Sequence, residues 1–148
     1  MKLTTRGRYA ARAMLELALN YGNRPLQLRE IAQRQEISER YLERIMTALV
    51  TADLVRSLRG QQGGFSLARH PNEIRLTQVI QAVEGSLNLV ECVNDNKFCG
   101  RASQCVTRDI WIKVRDAMLD VLNSISLEKM VEMQKNKLNQ PESKMYHI

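Results

Sequence analysis

Over residues 8–20 the apolar side chains return with a helical period, Ala13, Met14, Leu17 and Ala18 forming one stripe. Asn20, Gly22, Asn23 and Pro25 then break the pattern with a turn. The stretch LREIAQRQEISERYLERIMTALVTADLV carries two more amphipathic runs, separated by a short break near Gln35–Ile37. LVRSLRGQQGGFSLAR switches to two short strand-like runs around a glycine-containing loop, which predicts a hairpin. Thr77 is placed to cap a short helix, TQVIQAVEG, that Gly85 ends. After a loop, residues 106–125 carry the period of one long helix, and a polar segment follows. The chain thus divides into a domain at residues 1–85, a cysteine-bearing loop at 86–105, a dimerisation helix at 106–130 and a polar, frayed tail at 131–148.

Helix, helix, helix, hairpin is the order of a winged helix-turn-helix, so the expected fold is mainly α with a small β-hairpin wing. The second and third helices carry the spacing such a pair needs. Ala32 sits at the tight crossing, Ile37 plugs the turn, and Leu42 and Ile45 bury the inner face, at offsets of 5, 10 and 13 residues from Ala32. The turn position that is often glycine holds Glu36.

The outer face of the third helix would present Glu39, Arg40, Glu43 and Arg44, with Tyr41 nearby. Arg40 and Arg44 lie one turn apart and can reach a major groove together. Glu43 is out of place on a polyanion-binding helix unless it accepts from cytosine or is engaged elsewhere. Arg59 stands at the rim of the RGQQGG wing, placed to enter a narrow minor groove, while Gly60, Gly63 and Gly64 supply positive-φ turns at the tip. Arg6 and Arg8 complete the candidate DNA-binding set.

The long helix carries Val106, Ile110, Trp111, Val114, Ala117, Met118, Val121, Leu122 and Ile125, a stripe broader than one contact surface requires. One edge can pack on the chain's own winged domain and the other on a second copy. A twofold homodimer of this kind sets two reading helices one DNA turn apart.

Charge sharpens the picture. Of the 148 residues, 1–70 hold 12 Lys+Arg against 6 Asp+Glu, whereas 71–148 hold 10 of each. The whole net charge of +6 therefore lies in the winged half, and 11 of its 12 cations are arginines. That asymmetry points to double-stranded DNA as the partner. No apolar run approaches the roughly 18 residues of a membrane span. The Arg-rich opening MKLTTRGRYAARAMLELAL has the composition of a transit peptide, but its apolar positions run unbroken into the first helix, so it reads as part of the domain. No nucleophile–base constellation for an enzyme appears, and His70 and His147 are far apart in sequence.

All three cysteines fall in one stretch, CVNDNKFCGRASQC, as Cys92, Cys99 and Cys105. A cytoplasmic chain keeps such thiols reduced, and a cluster of them then favours a metal over a disulfide.

MKLTTRGRYA, SERYLERIM, RGQQGGF and the three-cysteine loop together resemble the iron–sulfur-dependent winged-helix regulators typified by IscR, with NsrR and the cysteine-metabolism repressor CymR as relatives. The resemblance covers roughly residues 1–130, and because CymR-type members lack the cysteine loop it implies a cluster-binding branch. Three thiolates with C-x₆-C-x₅-C spacing can wrap an iron–sulfur cluster and leave one coordination place for another ligand. Zinc is the competing metal, although its sites usually use close C-x₂₋₄-C pairs, which are absent.

The resemblance also frames the fourth ligand. IscR-like proteins use a histidine three residues after the last cysteine, where this chain has Arg108. NsrR-like proteins use an aspartate near the N-terminus, where it has Arg8. Glu91, Asp95 and Asp109 are local carboxylates, and Glu43 qualifies if the partner's reading helix faces the loop. Glu43 is the favoured ligand, since ligation also accounts for an anion on the reading helix. The expectation is a dimeric transcription regulator that senses iron–sulfur or redox status through a [2Fe-2S] cluster, without a small-molecule substrate. An NsrR-like [4Fe-4S] nitric oxide sensor, a zinc-stabilised protein-binding adaptor and a small electron carrier are the alternatives, in descending order.

Overall fold

A computed structural model describes residues 2–140. Its order is α1 (Thr5–Leu19), α2 (Leu28–Gln35), α3 (Glu39–Thr51), β1 (Val55–Leu58), β2 (Gly64–Leu67), α4 (Leu76–Glu84), α5 (Val106–Ser124) and α6 (Leu127–Asn139), with single 3₁₀ turns at Pro71–Glu73, Glu91–Val93 and Ala102–Gln104. The expected class holds: a mostly helical chain with one two-stranded antiparallel hairpin.

Helix α1 begins three residues before the periodic stretch, because Thr4 caps it, its hydroxyl accepting from the Gly7 amide at 3.4 Å. A second acceptor reaches the same end from far along the chain. One carboxylate oxygen of Glu84, the last residue of α4, accepts from the Thr4 amide at 3.1 Å, the Gly7 amide at 3.0 Å and the Thr4 hydroxyl. Gly7, Ala10, Ala13, Met14, Leu17 and Ala18 bury the inner stripe of α1.

At the start of α2, Glu30 accepts from the Gln27 amide at 2.8 Å and pairs with Arg24 at 2.6 Å. The Arg24 hydrogen bond, then the Gln27 amide, hold its carboxyl at about 2 instead of the usual 4.5. A depressed carboxyl stabilises the fold above its unfolded value, and that stabilisation disappears as pH falls through the folded one. Acid titrations of thermal stability should therefore show Glu30→Gln below wild type near neutral pH. The gap should narrow from pH 4.5 and close near pH 2.

Between α2 and α3 the turn has the spacing read from the sequence. Ala32, Ile37, Leu42 and Ile45 are all buried, and the Ile37 amide donates to the Ala32 carbonyl at 3.0 Å. Glu36 takes the left-handed conformation, φ 54 and ψ 46, that glycine usually provides. Its side chain is exposed, so the departure costs only backbone strain, about 1–2 kcal/mol.

The wing pairs Val55 with Leu67 and Leu58 with Gly64. A short bridge between Leu26 and Phe65, with N–O distances of 2.7 and 3.0 Å, ties it to the segment entering α2. Gly60 and Gly64 adopt positive φ as expected, whereas Gly63 is required for space: a Cβ there would meet the Leu58 carbonyl at 2.2 Å.

Three expectations need correction. Thr77 does not cap α4, whose N-cap is Arg75; the Gln78 side chain accepts from the Arg75 amide at 2.8 Å, and the buried Thr77 hydroxyl has no partner among the described residues. The helix starts early because Arg75 is bridged to Ser126 and the Leu76 amide donates to the Ile125 carbonyl at 2.8 Å. The segment 106–130 is not one helix: α5 stops at Ser124, and Ser126 caps α6 by accepting from Lys129 at 3.0 Å. Nor is 131–140 a frayed tail, since α6 runs to Asn139, with Leu127 fully buried in the common core and Met130 and Val131 packed against it. The rest of the expected tail, with His147, lies outside the described residues.

Candidate nucleic-acid interface and cysteine loop

Helix α3 divides cleanly. Leu42, Ile45, Met46 and Leu49 are buried, while Glu39, Arg40, Tyr41, Glu43 and Arg44 are all exposed. Ser38 caps the helix, accepting from the Tyr41 amide at 3.2 Å. Ser38, Arg40, Tyr41 and Arg44 line a shallow cavity of about 280 Å³. Among the described residues no salt bridge involves Glu39, Arg40, Glu43 or Arg44. Among the described residues the Glu43 carboxylate has no hydrogen-bond partner, while the Glu43 carbonyl accepts from the Thr47 hydroxyl at 2.9 Å. Arg59 is exposed at the end of the wing.

The first turn of α1 stands beside the first turn of α3. Thr5, Tyr9, Glu36, Ile37, Ser38 and Tyr41 line one cavity of about 460 Å³, and the Tyr9 and Tyr41 rings meet edge to face with centroids 5.8 Å apart. Arg6 and Arg8 are exposed in that same turn of α1. Arg12 lies over Tyr9 at 5.3 Å and donates to the Gln35 side chain at 2.8 Å and to the Gln35 carbonyl at the end of α2. Gln35 in turn donates to Glu16 at 2.6 Å. Tyr9 and Arg12 were missed in the sequence, although their spacing of three places them on one face of α1. They brace Tyr41 and the turn.

The cysteine loop leaves Gly85 at φ 78 and is pinned by buried Leu87 and Val93. Its thiols are all free, with Cys92 and Cys105 half-buried and Cys99 exposed. Cys105 stands at the start of α5 with its sulfur 3.2 Å from the Thr107 hydroxyl. That contact, followed by the Arg108 amide, holds its thiol below the ordinary range. Arg108, at the position where the resemblance expects histidine, donates to the Cys92 carbonyl at 2.8 Å and to the Asn96 side chain. It braces the loop.

The three thiols share the loop without converging: among the described residues no three His, Cys, Asp or Glu side chains are gathered closely enough to hold a metal ion. Glu91, Asp95 and Asp109 are exposed on or beside the loop, and Glu43 lies on α3. The donor chemistry fits a thiolate-bound centre, because three reduced sulfurs, one already acidified, sit on an accessible loop.

Helix α5 is two-faced. Arg108, Ile112, Arg115, Met118, Leu119 and Leu122 are half-buried on the side toward α4 and the Glu91–Val93 turn. Val106, Ile110, Trp111, Val114 and Val121 are 71, 47, 39, 44 and 60% exposed, and no residue of this 19-residue helix is fully buried. No helix among the described residues is long and apolar enough to cross a membrane.

A helix-turn-helix with a wing, carrying its arginines on the outer face, defines a DNA-binding transcription regulator rather than an enzyme. Comparison with known proteins agrees. The model of the Rrf2 family, described as iron-dependent transcriptional regulators, matches residues 3–133, and the chain belongs to that family. It is 39% identical over 128 residues to the regulator CymR of Bacillus subtilis, covering 86% of this chain and 88% of that one. To IscR of Pectobacterium atrosepticum it is 39% identical over 131 residues, covering 88% and 79%. Among solved structures, CymR (YrzC), the global cysteine regulator of B. subtilis, superposes with a TM-score of 0.76 at 38% identity, covering 90% of this chain and 98% of that one. IscR of T. potens gives 0.76 at 36%, covering 99% and 97%.

Proposed function

We propose that this regulator works as a cytoplasmic homodimer whose DNA preference is governed by an iron–sulfur cluster, [2Fe-2S], on Cys92, Cys99 and Cys105, with Glu43 of the partner subunit as fourth ligand. Similarity is equal toward CymR and IscR, so the reading is carried by the cysteine loop: three free thiols, the chain's only ones, between α4 and α5. When bound, the cluster supplies a redox- and nitric-oxide-reactive centre. The chain's own residues do the rest. Glu43 engaged as a ligand is withdrawn from the groove; released, its carboxylate repels phosphate or accepts from cytosine. One side chain then shifts DNA preference by a difference in affinity between two states.

The test is the visible spectrum, iron and sulfide content and Mössbauer signature of anaerobically purified protein. A [4Fe-4S] signature would favour the nitric oxide reading, and zinc without sulfide would overturn both. Each single Cys→Ala change should strip or destabilise the bound iron; full retention in one variant removes that cysteine from the ligand set. Glu43→Ala should accelerate loss of iron and equalise the loaded-to-unloaded ratio of DNA affinities. If neither moves, the search passes to Glu91, Asp95 and Asp109.

On the DNA side, Arg40, Arg44 and Arg59 are proposed contacts. Losing a bidentate base contact costs about 1–3 kcal/mol and relaxes specificity at one position, whereas losing a phosphate contact weakens all sequences alike. Unchanged affinity at fixed salt in all three Ala variants would move the DNA face elsewhere.

A further inference from the structure

We infer that Glu84 is a positioning residue for DNA binding: its carboxylate clips the first turn of α1 to the end of α4 and so holds Arg6 and Arg8 where they meet phosphate. The inference rests on the reading of those two arginines as DNA contacts. Glu84 is remote from them in sequence, yet one of its oxygens takes three donors from the segment that carries them, the Thr4 amide, the Thr4 hydroxyl and the Gly7 amide. The two amides are orphan groups at a helix N-terminus, where an anion is favoured both by direct hydrogen bonds and by the helix dipole. Thr4, the local cap, holds Gly7 only at 3.4 Å, so the closer grip is that of Glu84 at 3.0 Å.

Gly7 supports the same conclusion. It is buried, it does not adopt a positive φ, and a Cβ there would meet the Glu84 oxygen at 2.5 Å and the Leu3 Cδ1 at 2.9 Å, both ends of flexible side chains that would have to move. Alanine is the better helix former, yet its methyl would displace the carboxylate from the first turn of α1. Glu84 is also the last residue of α4, and Gly85 opens the loop carrying all three cysteines. The clip therefore fixes the basic arm and the root of the cysteine loop to one another.

Salt dependence separates this role from simple stabilisation. Each phosphate contact contributes about 0.9 to the slope of log affinity against log salt concentration. A variant that is merely less stable binds with an unchanged slope. The experiment is a salt titration of one fixed non-operator duplex with wild type, Glu84→Ala, Glu84→Gln, Gly7→Ala, Arg6→Ala/Arg8→Ala and the triple variant. Glu84→Ala should flatten the slope by about the same amount as the double arginine variant, and the triple variant should add nothing further. Gly7→Ala should reproduce the flattening despite its better helix propensity. Glu84→Gln keeps an acceptor and should recover at least half of the wild-type slope. Amide exchange at residues 4–8 should rise in Glu84→Ala and Gly7→Ala and stay near wild type in Glu84→Gln. A wild-type slope in Glu84→Ala beside a flattened one in the arginine variant overturns the positioning role alone. A wild-type slope in the arginine variant removes these arginines from the DNA face, and the role falls with them.

Discussion

Val114→Asp should turn the protein into a folded monomer that has lost most of its affinity for DNA. In the isolated chain Val114 is 44% exposed on a helix without a fully buried residue, so a charge there is hydrated and the fold tolerates it. In the proposed dimer the same position is covered by a second copy of α5. Twofold symmetry then places the aspartate at the interface twice, with no cation from the apolar stripe to meet it. An unpaired buried charge costs about 3–5 kcal/mol, so one copy alone weakens association by roughly two to nearly four orders of magnitude. Separating the reading helices also removes the gain from engaging two half-sites at once, about 10²–10⁴ in affinity. Sedimentation equilibrium and DNA titration test both effects, with circular dichroism as the check on folding. A variant that stays dimeric and binds as wild type would show that α5 is covered by something other than its copy.

How much of this was legible in the sequence depends on where each signal lies. The buried seam of the helix-turn-helix was readable because Ala32, Ile37, Leu42 and Ile45 are apolar at fixed offsets, and periodicity survives without knowledge of the partner helix. On α5 the stripe was only partly readable: Met118, Leu122 and Ile125 are half-buried and its other members are exposed, while Ile112 and Leu119 on the inward side were missed. Helix α6 was not readable, because its apolar residues, Leu127, Met130, Val131, Met133 and Leu138, are outnumbered by charged and polar ones in LEKMVEMQKNKLN. The start of α4 escaped because the bridge from Arg75 to Ser126, a non-local contact, overrides a local capping preference at Thr77. Glu84 escaped for the same reason. Its three donors lie 77–80 residues away, and nothing local marks a carboxylate that caps a helix so remote in the chain. The cysteines stand together in the sequence, whereas the proposed fourth ligand would come from another copy and so leaves no spacing to read.

Leu127→Ala should be the most destabilising single change outside the winged half, by about 2–5 kcal/mol. Leu127 has no exposed surface and belongs to the same core cluster as Met14, Leu17 and Ile74. Its amide donates to the Ile74 carbonyl at 3.0 Å. A cavity here would loosen α1 and the beginning of α4 together, because α6 packs on the first and the Arg75–Ser126 bridge anchors the second. Leu138→Ala provides the contrast: the residue is 74% exposed on the same helix, and surface changes of that kind stay within about 0.5 kcal/mol. Urea unfolding of both variants at one fixed protein concentration compares them without the mass-action effect of dimerisation. If Leu127→Ala unfolds at the wild-type midpoint, α6 is an appendage as its polar sequence suggests. If it unfolds early, the C-terminal helix is part of the DNA-binding domain, and the far end of α4, where Glu84 and the cysteine loop begin, depends on it.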